Sequence, residues 1–215
     1  MNFLPTNQTL LAVPATTMLY PEVRTPDDIL DLLRPETAME RRFLTDPEFQ
    51  EGLMYGKPRF GHPEGKVVYH IREVLDNVDR LDVTAERRRE LRILTFVHDT
   101  FKHREHKGRP RDWKRHHAVL ARRFLEKFTP EKRLLEVTEL HDEAYYAWRA
   151  VHLYDRADLG QERLVKLVHR LDDALQLFYE FFVCDTRTGD KVQAPVKWFA
   201  QAVPGLQPVR WHSEP

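Results

Sequence analysis

The chain carries a single cysteine, Cys184, in 215 residues. That excludes an intramolecular disulfide and a cysteine-rich zinc site, and it fits a reducing compartment. Glycine is scarce, with eight residues, whereas strands joined by tight turns draw on it heavily. No apolar run approaches the roughly 20 residues of a membrane-spanning helix. Neither sign of charge dominates, because 34 Lys and Arg stand against 34 Asp and Glu. Bulk charge therefore draws the chain neither to nucleic acid nor to a membrane surface. The opening segment, MNFLPTNQTLLAVPATTMLY, lacks the basic start of a secretory signal and is interrupted by Pro5 and Pro14. The expectation is a cytoplasmic protein with no membrane attachment. Internal repeats and low-complexity tracts are missing too, so the length suits one domain with appendages.

What is present is helical periodicity. Residues 1–25 read as irregular. Thr25 or Asp27 can cap a helix through Leu33, with Pro26 suited to its first position. Shorter helices are expected over about 36–45 and 47–55, punctuated by Pro35 and Pro47, and residues 1–55 read as an N-terminal helical extension. The core domain, 56–190, begins in earnest near Gly61. Val67, Ile71, Val74, Val78 and Leu81 recur at helical spacing, and His70 lies on the same face. Thr84 caps the next helix, expected to run to about Phe101. A basic, turn-rich stretch follows over 102–115. Helical spacing resumes at His117, Leu120, Phe124 and Phe128, and again at Val137, His141, Ala144 and Trp148. A final long helix is expected over about 161–184. The tail, 191–215, with Trp198 and Trp211, reads as an irregular arm packed by its aromatics. The fold class expected is all-α.

The adjacent pair His98-Asp99 closes the apolar run Leu91, Ile93, Leu94, Phe96, Val97. Such a segment is buried, and a carboxylate at its end needs a partner, since an isolated buried charge is very costly. A divalent cation would supply one and would also use the imidazole. His70, His117 and His141 lie on buried faces of three other helices, and helix bundles build metal sites from such facing side chains. Lys102, three residues after Asp99, lies on the same side. Each residue also has a plain structural alternative. An inward histidine is more often a hydrogen-bonded core residue, and an aspartate can be half of a buried ion pair. His116 stands beside His117, and either suits the surface. Asp142, beside His141, falls on the more polar side, which argues against it as a ligand. His62, His103, His106, His152, His169 and His212 read as structural or surface residues, with His62 the nearest to an exception. In the basic stretch Arg104, Arg109, Arg111 and Arg115 are candidates to grip an anionic substrate, since arginine forks match phosphate.

This pattern resembles the HD superfamily of metal-dependent phosphohydrolases. GHPEGKVVYH (61–70) is similar to the start of the HD domain attached to bacterial CCA-adding tRNA nucleotidyltransferases. FVHDTFK (96–102) resembles their His-Asp-x-x-Lys segment, with Phe101 where Gly is usual. HHAVLARRFL (116–125) and VTELHDEA (137–144) match the next two histidines at His117 and His141. RLVKLVHRLDDALQLFYEFFVCDTRTG (163–189) resembles the helix that ends in the last ligand, which falls on Asp185, with Asp172 as its rival. The resemblance covers about 60–190 and matches only the HD module. It implies an HD-type helical bundle that hydrolyses a phosphate ester or anhydride, a nucleotide being the first choice. His70, His98, Asp99 and Asp185 would hold one divalent ion, and His117 and His141 would complete a second position. Asp99 and Lys102 would act on the reacting groups. The ligand set suits Mn, Fe, Co, Ni or Zn better than Mg. Two alternatives stay open: a di-iron oxygenase on the same ligands, and a nucleotide- or RNA-binding module with a vestigial site.

Overall fold

The computed structural model describes residues 20–212. The fold is all-α, and among the described residues only two isolated β-bridges occur, with no sheet. Three short helices come first, each with a legible start. Helix α1 (Pro26–Leu33) has a capping box in which Thr25 and Asp28 satisfy each other's backbone, and Pro26 sits in its first turn. Helix α2 (Ala38–Phe43) repeats the device with Thr37 and Glu40. Helix α3 (Pro47–Leu53) starts from Asp46. The expected irregularity of residues 1–25 lies largely outside the described residues.

Two long helices follow, α4 (Val67–Arg80) and α5 (Ala85–Val97), the latter capped by Thr84. Beyond them come α6 (His117–Leu125), α7 (Lys132–Leu140), α8 (Glu143–His152), α9 (Ala157–Leu171), α10 (Leu175–Thr186) and α11 (Ala194–Ala202). The last halves of α5 and α10 are buried all round, so these helices form the centre. They pack on each other and on α4, while α6 and α7 close the other side. Helices α8 and α9 form a tight hairpin outside this centre. At Gly160 a β-carbon would meet Val151 and the Ala147 carbonyl, so only glycine allows that approach.

Three expected helices are broken where the sequence periodicity runs on. The helix expected to reach Phe101 ends at Val97, and residues 100–104 tighten into a 3-10 turn. The spacing from Val137 to Trp148 divides into α7 and α8 at His141-Asp142. The long final helix divides at Asp172, whose φ of 45° lies in the left-handed region, one that Asp tolerates better than most residues. That break lets α9 lie on α8 while α10 enters the core. The C-terminal arm is not irregular throughout, because α11 seats Phe199 against Phe178, Tyr179 and Phe182 of α10. Pro195 lies in the first turn of α11, where proline is well tolerated. No helix among the described residues is long and apolar enough to cross a membrane.

The N-terminal helices share the core. Phe43 and Phe49 pack among Phe96, Phe101, Phe124 and Phe128. Arg92 of α5, only 2 % exposed, meets the wholly buried Glu40 at 3.1 and 2.9 Å and donates to the Arg34 carbonyl at 3.1 Å. Removing one partner of such a pair strands a buried charge. Arg92→Ala is expected to lower stability by about 3–5 kcal/mol. The joint change Arg92→Met with Glu40→Leu should recover most of it. Urea unfolding followed by circular dichroism measures both; an unmoved midpoint for Arg92→Ala would refute this role.

Candidate metal centre

The site begins with local hydrogen bonds at the ends of two helices. In α5 the Thr95 hydroxyl donates to the Leu91 carbonyl at 2.7 Å, and Nδ1 of His98 meets the Thr95 carbonyl at 3.0 Å. In α7 the Thr138 hydroxyl donates to the Leu134 carbonyl at 2.8 Å, and Nδ1 of His141 meets the Thr138 carbonyl at 2.9 Å. A carbonyl accepts only, so each Nδ1 carries the proton and each Nε2 presents a lone pair inward. The other two imidazoles are backed by carboxylates. Nδ1 of His117 meets Glu105 at 3.3 Å, and Nδ1 of His70 faces Glu64 at 3.4 Å, a contact too long for a good hydrogen bond.

The inward atoms converge. Nε2 of His70 lies 2.9 Å from Asp185 Oδ1, 3.3 Å from His98 Nε2 and 3.7 Å from Asp99 Oδ2. His98 Nε2 is 3.6 Å from both carboxylates. Ligands held at ~2.1 Å around one ion lie about 3.0–3.4 Å apart in octahedral or tetrahedral geometry; His70, His98 and Asp99 bring one atom each close enough together to hold an ion after a small adjustment, and Asp185 Oδ1 stands beside both imidazoles. The second oxygen of Asp99 faces the other way. Its Oδ1 is 3.4 Å from His117 Nε2 and 3.6 Å from His141 Nε2, and those two nitrogens are 3.3 Å apart. The donor chemistry, imidazole with carboxylate, suits a borderline transition ion.

Charge is concentrated here. Burial works against ionisation of Asp99 and Asp185, yet both carboxyls lie well below the usual range. For Asp99 the Lys102 ammonium and nearby imidazoles outweigh burial, and for Asp185 the outweighing groups are Lys191 and two imidazoles. Lys102 pairs with Asp99, and Lys191 donates to Asp185 Oδ1 at 2.9 Å. Burial also opposes charge on His117, but hydrogen bonding to Asp142, Asp99 and Glu105 pushes it up to about 10. A small backbone detail supports the position of Asp99. A β-carbon at Gly52 would collide with the Thr100 carbonyl, so glycine lets α3 press against the turn that follows the His-Asp pair.

A cavity of about 380 Å³ opens onto the cluster, with Asp99, Lys102, His117, His141 and Asp185 in its wall. A second opening, about 750 Å³, reaches Asp99 and Lys102 from the side of Tyr55 and Lys107. Of the four loop arginines, only Arg111 lines the first cavity, paired with Glu105 and lying over the Trp113 ring at 4.7 Å. Arg104, Arg109 and Arg115 are exposed and line neither opening, and Arg104 pairs with Glu48 at 3.2 Å. The loop turns them outward, which spacing alone does not reveal. Arg59, Arg149 and Lys191 line the first cavity instead. Asp172 sits exposed at the helix break, away from the cluster that Asp185 joins.

Several contributors lie outside the inward helical faces. Asp142 brings Oδ2 to 3.3 Å from His117 Nε2. Glu64 and Glu105 stand behind imidazoles, His62 meets Glu64 at 2.9 Å, and His116 is buried. For Asp142 a signal existed, because Thr-x-x-His-Asp occurs at both 95–99 and 138–142. For Lys191 and Arg149 none did. No family model, curated protein or solved structure matches the chain.

Metal uptake at these imidazoles must displace the proton that His117 holds. Affinity is therefore expected to weaken as the pH falls from about 8 to about 6, with proton release at neutral pH. Calorimetric titration with Zn or Mn in buffers of different ionisation enthalpy checks this. Uptake at those imidazoles without proton release would contradict it.

Proposed function

We propose that the protein is a divalent-metal-dependent phosphohydrolase of the HD type, acting on a small phosphate ester or anhydride such as a nucleotide. The observation that carries this reading is the convergence of His70, His98, Asp99 and Asp185 from separate helices, with Asp99 and Asp185 open to a cavity. These four residues would hold one ion, and His117 and His141 would contribute to a second, with Asp99 between them. Mn, Fe, Co, Ni or Zn suits the donors, and Mg remains compatible with the carboxylates. A divalent ion bound there would polarise a phosphoryl oxygen and make water acidic enough to attack near neutral pH.

The protein's own groups account for binding and orientation. Lys102 and Lys191 already contact the two carboxylates of the first cluster. Their ammoniums would offset the charge that builds on phosphoryl oxygens held beside the ion. Arg59, Arg111 and Arg149 extend that positive wall outward. Asp99 would orient the attacking water toward phosphorus; the new O–P bond would form as the ester O–P bond breaks, and the proton given up by the water would pass to the leaving oxygen. Apolar and aromatic side chains line the cavity beside those arginines, among them Tyr145, Phe182, Val192 and Pro195, and Phe60 adds a ring with 81 % of its surface exposed. A flat, weakly polar group such as a nucleobase matches that lining. The single buried Cys184 fits a reducing compartment such as the cytoplasm.

A second reading, a di-iron oxygenase, draws on one observation: Asp99 turns one oxygen to each cluster. Metal identity separates the two. Tightly held iron with oxygen consumption would favour oxygenation, and activity with a redox-inert metal would favour hydrolysis.

Asp99→Asn is expected to cut phosphate release from nucleotide substrates at least about a hundredfold, while the melting temperature shows the chain still folded. Removing metal with a chelator should have the same effect on the parent protein, reversed by adding Mn, Co or Zn. Undiminished release by Asp99→Asn would reject the proposed role.

A further inference from the structure

We propose that Asp142 is a direct ligand of the second metal position, which then has four protein donors: His117, His141, Asp142 and the outer oxygen of Asp99. This rests on the metal-dependent reading above and deepens it.

Three observations carry it. The first is distance. Asp142 Oδ2 lies 3.3 Å from His117 Nε2 and 3.7 Å from His141 Nε2. Those separations match the 2.9 to 3.7 Å found among the donors of the first cluster. The second is a recurring local structure. Thr95-Phe96-Val97-His98-Asp99 and Thr138-Glu139-Leu140-His141-Asp142 end successive walls of the site with one hydrogen-bond pattern. Each places the histidine Nε2 beside the following carboxylate, at 3.6 Å in the first and 3.7 Å in the second. A helix that ends at the histidine, as both do, frees the next residue from the roughly 100° step that would turn it away.

The third is charge. Asp99 and Asp185 each have a lysine in salt-bridge contact. Among the described residues no lysine or arginine is in salt-bridge contact with Asp142, and Lys102 acts on it only from further off; its near neighbours are His116, the protonated His117, whose proton an ion would replace, His141 and the Tyr146 hydroxyl, which donates to Oδ2 at 3.3 Å. Its side chain is 29 % exposed, on the wall of the cavity. A carboxylate set among imidazoles offers the charge a divalent ion lacks when His117 and His141 are neutral ligands. Tyr146 then orients Asp142 from behind, as outer partners commonly do for metal carboxylates.

The test counts metal. The full chain is stripped with chelator, loaded with Mn or Zn, freed of excess and measured by elemental analysis. Two ions per chain are expected for the parent and one for Asp142→Asn. Changes in outer partners alone weaken metal sites about 10–100-fold, so loss of a direct ligand should weaken the second ion at least about a hundredfold. Manganese electron paramagnetic resonance gives an independent readout, with a coupled pair in the parent and an isolated ion in the variant. Asp142→Glu keeps a carboxylate and should keep the second ion, and melting of the metal-free proteins separates a lost ligand from a lost fold. Equal counts of one or two ions in the parent and Asp142→Asn would overturn the assignment of Asp142 alone. A count of zero in both would overturn the metal reading with it.

Discussion

Three carboxylates, Asp99, Asp142 and Asp185, meet within one helical core, and their negative charge has to be matched there. Water does this at a surface. In the centre of this protein it falls chiefly to Lys102, Lys191 and His117. Desolvation pushes each carboxyl toward its neutral form, yet the surrounding cations hold all three ionised. Unmatched, such a group would be among the most expensive features a core can hold. The arrangement is therefore one electrostatic unit: Lys102 and Lys191 answer acids close to them in the chain, and His70 and His117 reach acids from other helices. A divalent ion fits this unit because it brings concentrated positive charge to the point that four of the donors already surround.

Precision at that point comes from helix ends. His98 and His141 both close a helix, both carry Nδ1 against a carbonyl three residues back, and both follow a threonine that bonds within its own turn. The ring cannot rotate without losing that bond, so the direction of each Nε2 is set by backbone. His70 comes from the first turn of α4 and Asp185 from the last turn of α10, and the apolar centre holds both helices against α5. Ligands built on packed helices in this way are more exact than ligands on loops.

The N-terminal helices support the same geometry from behind. Arg92 ties α5 to Glu40 of α2, while Phe43 and Phe49 fill the space between α5 and α6. Gly52 lets α3 reach the Thr100 carbonyl, one residue beyond Asp99. Residues far from the cavity thus fix the turn on which the shared carboxylate sits. On the open side, cationic and aromatic side chains line the cavity together.

Local chemistry was legible in the residue order. Thr25 and Thr84 announce helix starts because their hydroxyls accept from the first free amides. The 4-3-4-3 spacing from Val67 to Leu81 fixes the buried face of α4 and with it His70. The apolar run before His98 makes a buried Asp99 in need of a partner. What residue order could not decide is where helices stop inside an unbroken apolar pattern, because periodicity continues across His141-Asp142 and across Asp172 while packing breaks the chain there. Nor could it choose which of many arginines faces inward, since Arg104, Arg109 and Arg115 share a composition with Arg111 but not its position. Sequence determined the helices and the donors each could offer. Only tertiary packing decided which donors meet, because their distances depend on how separate helices cross, and no spacing along the chain encodes that crossing.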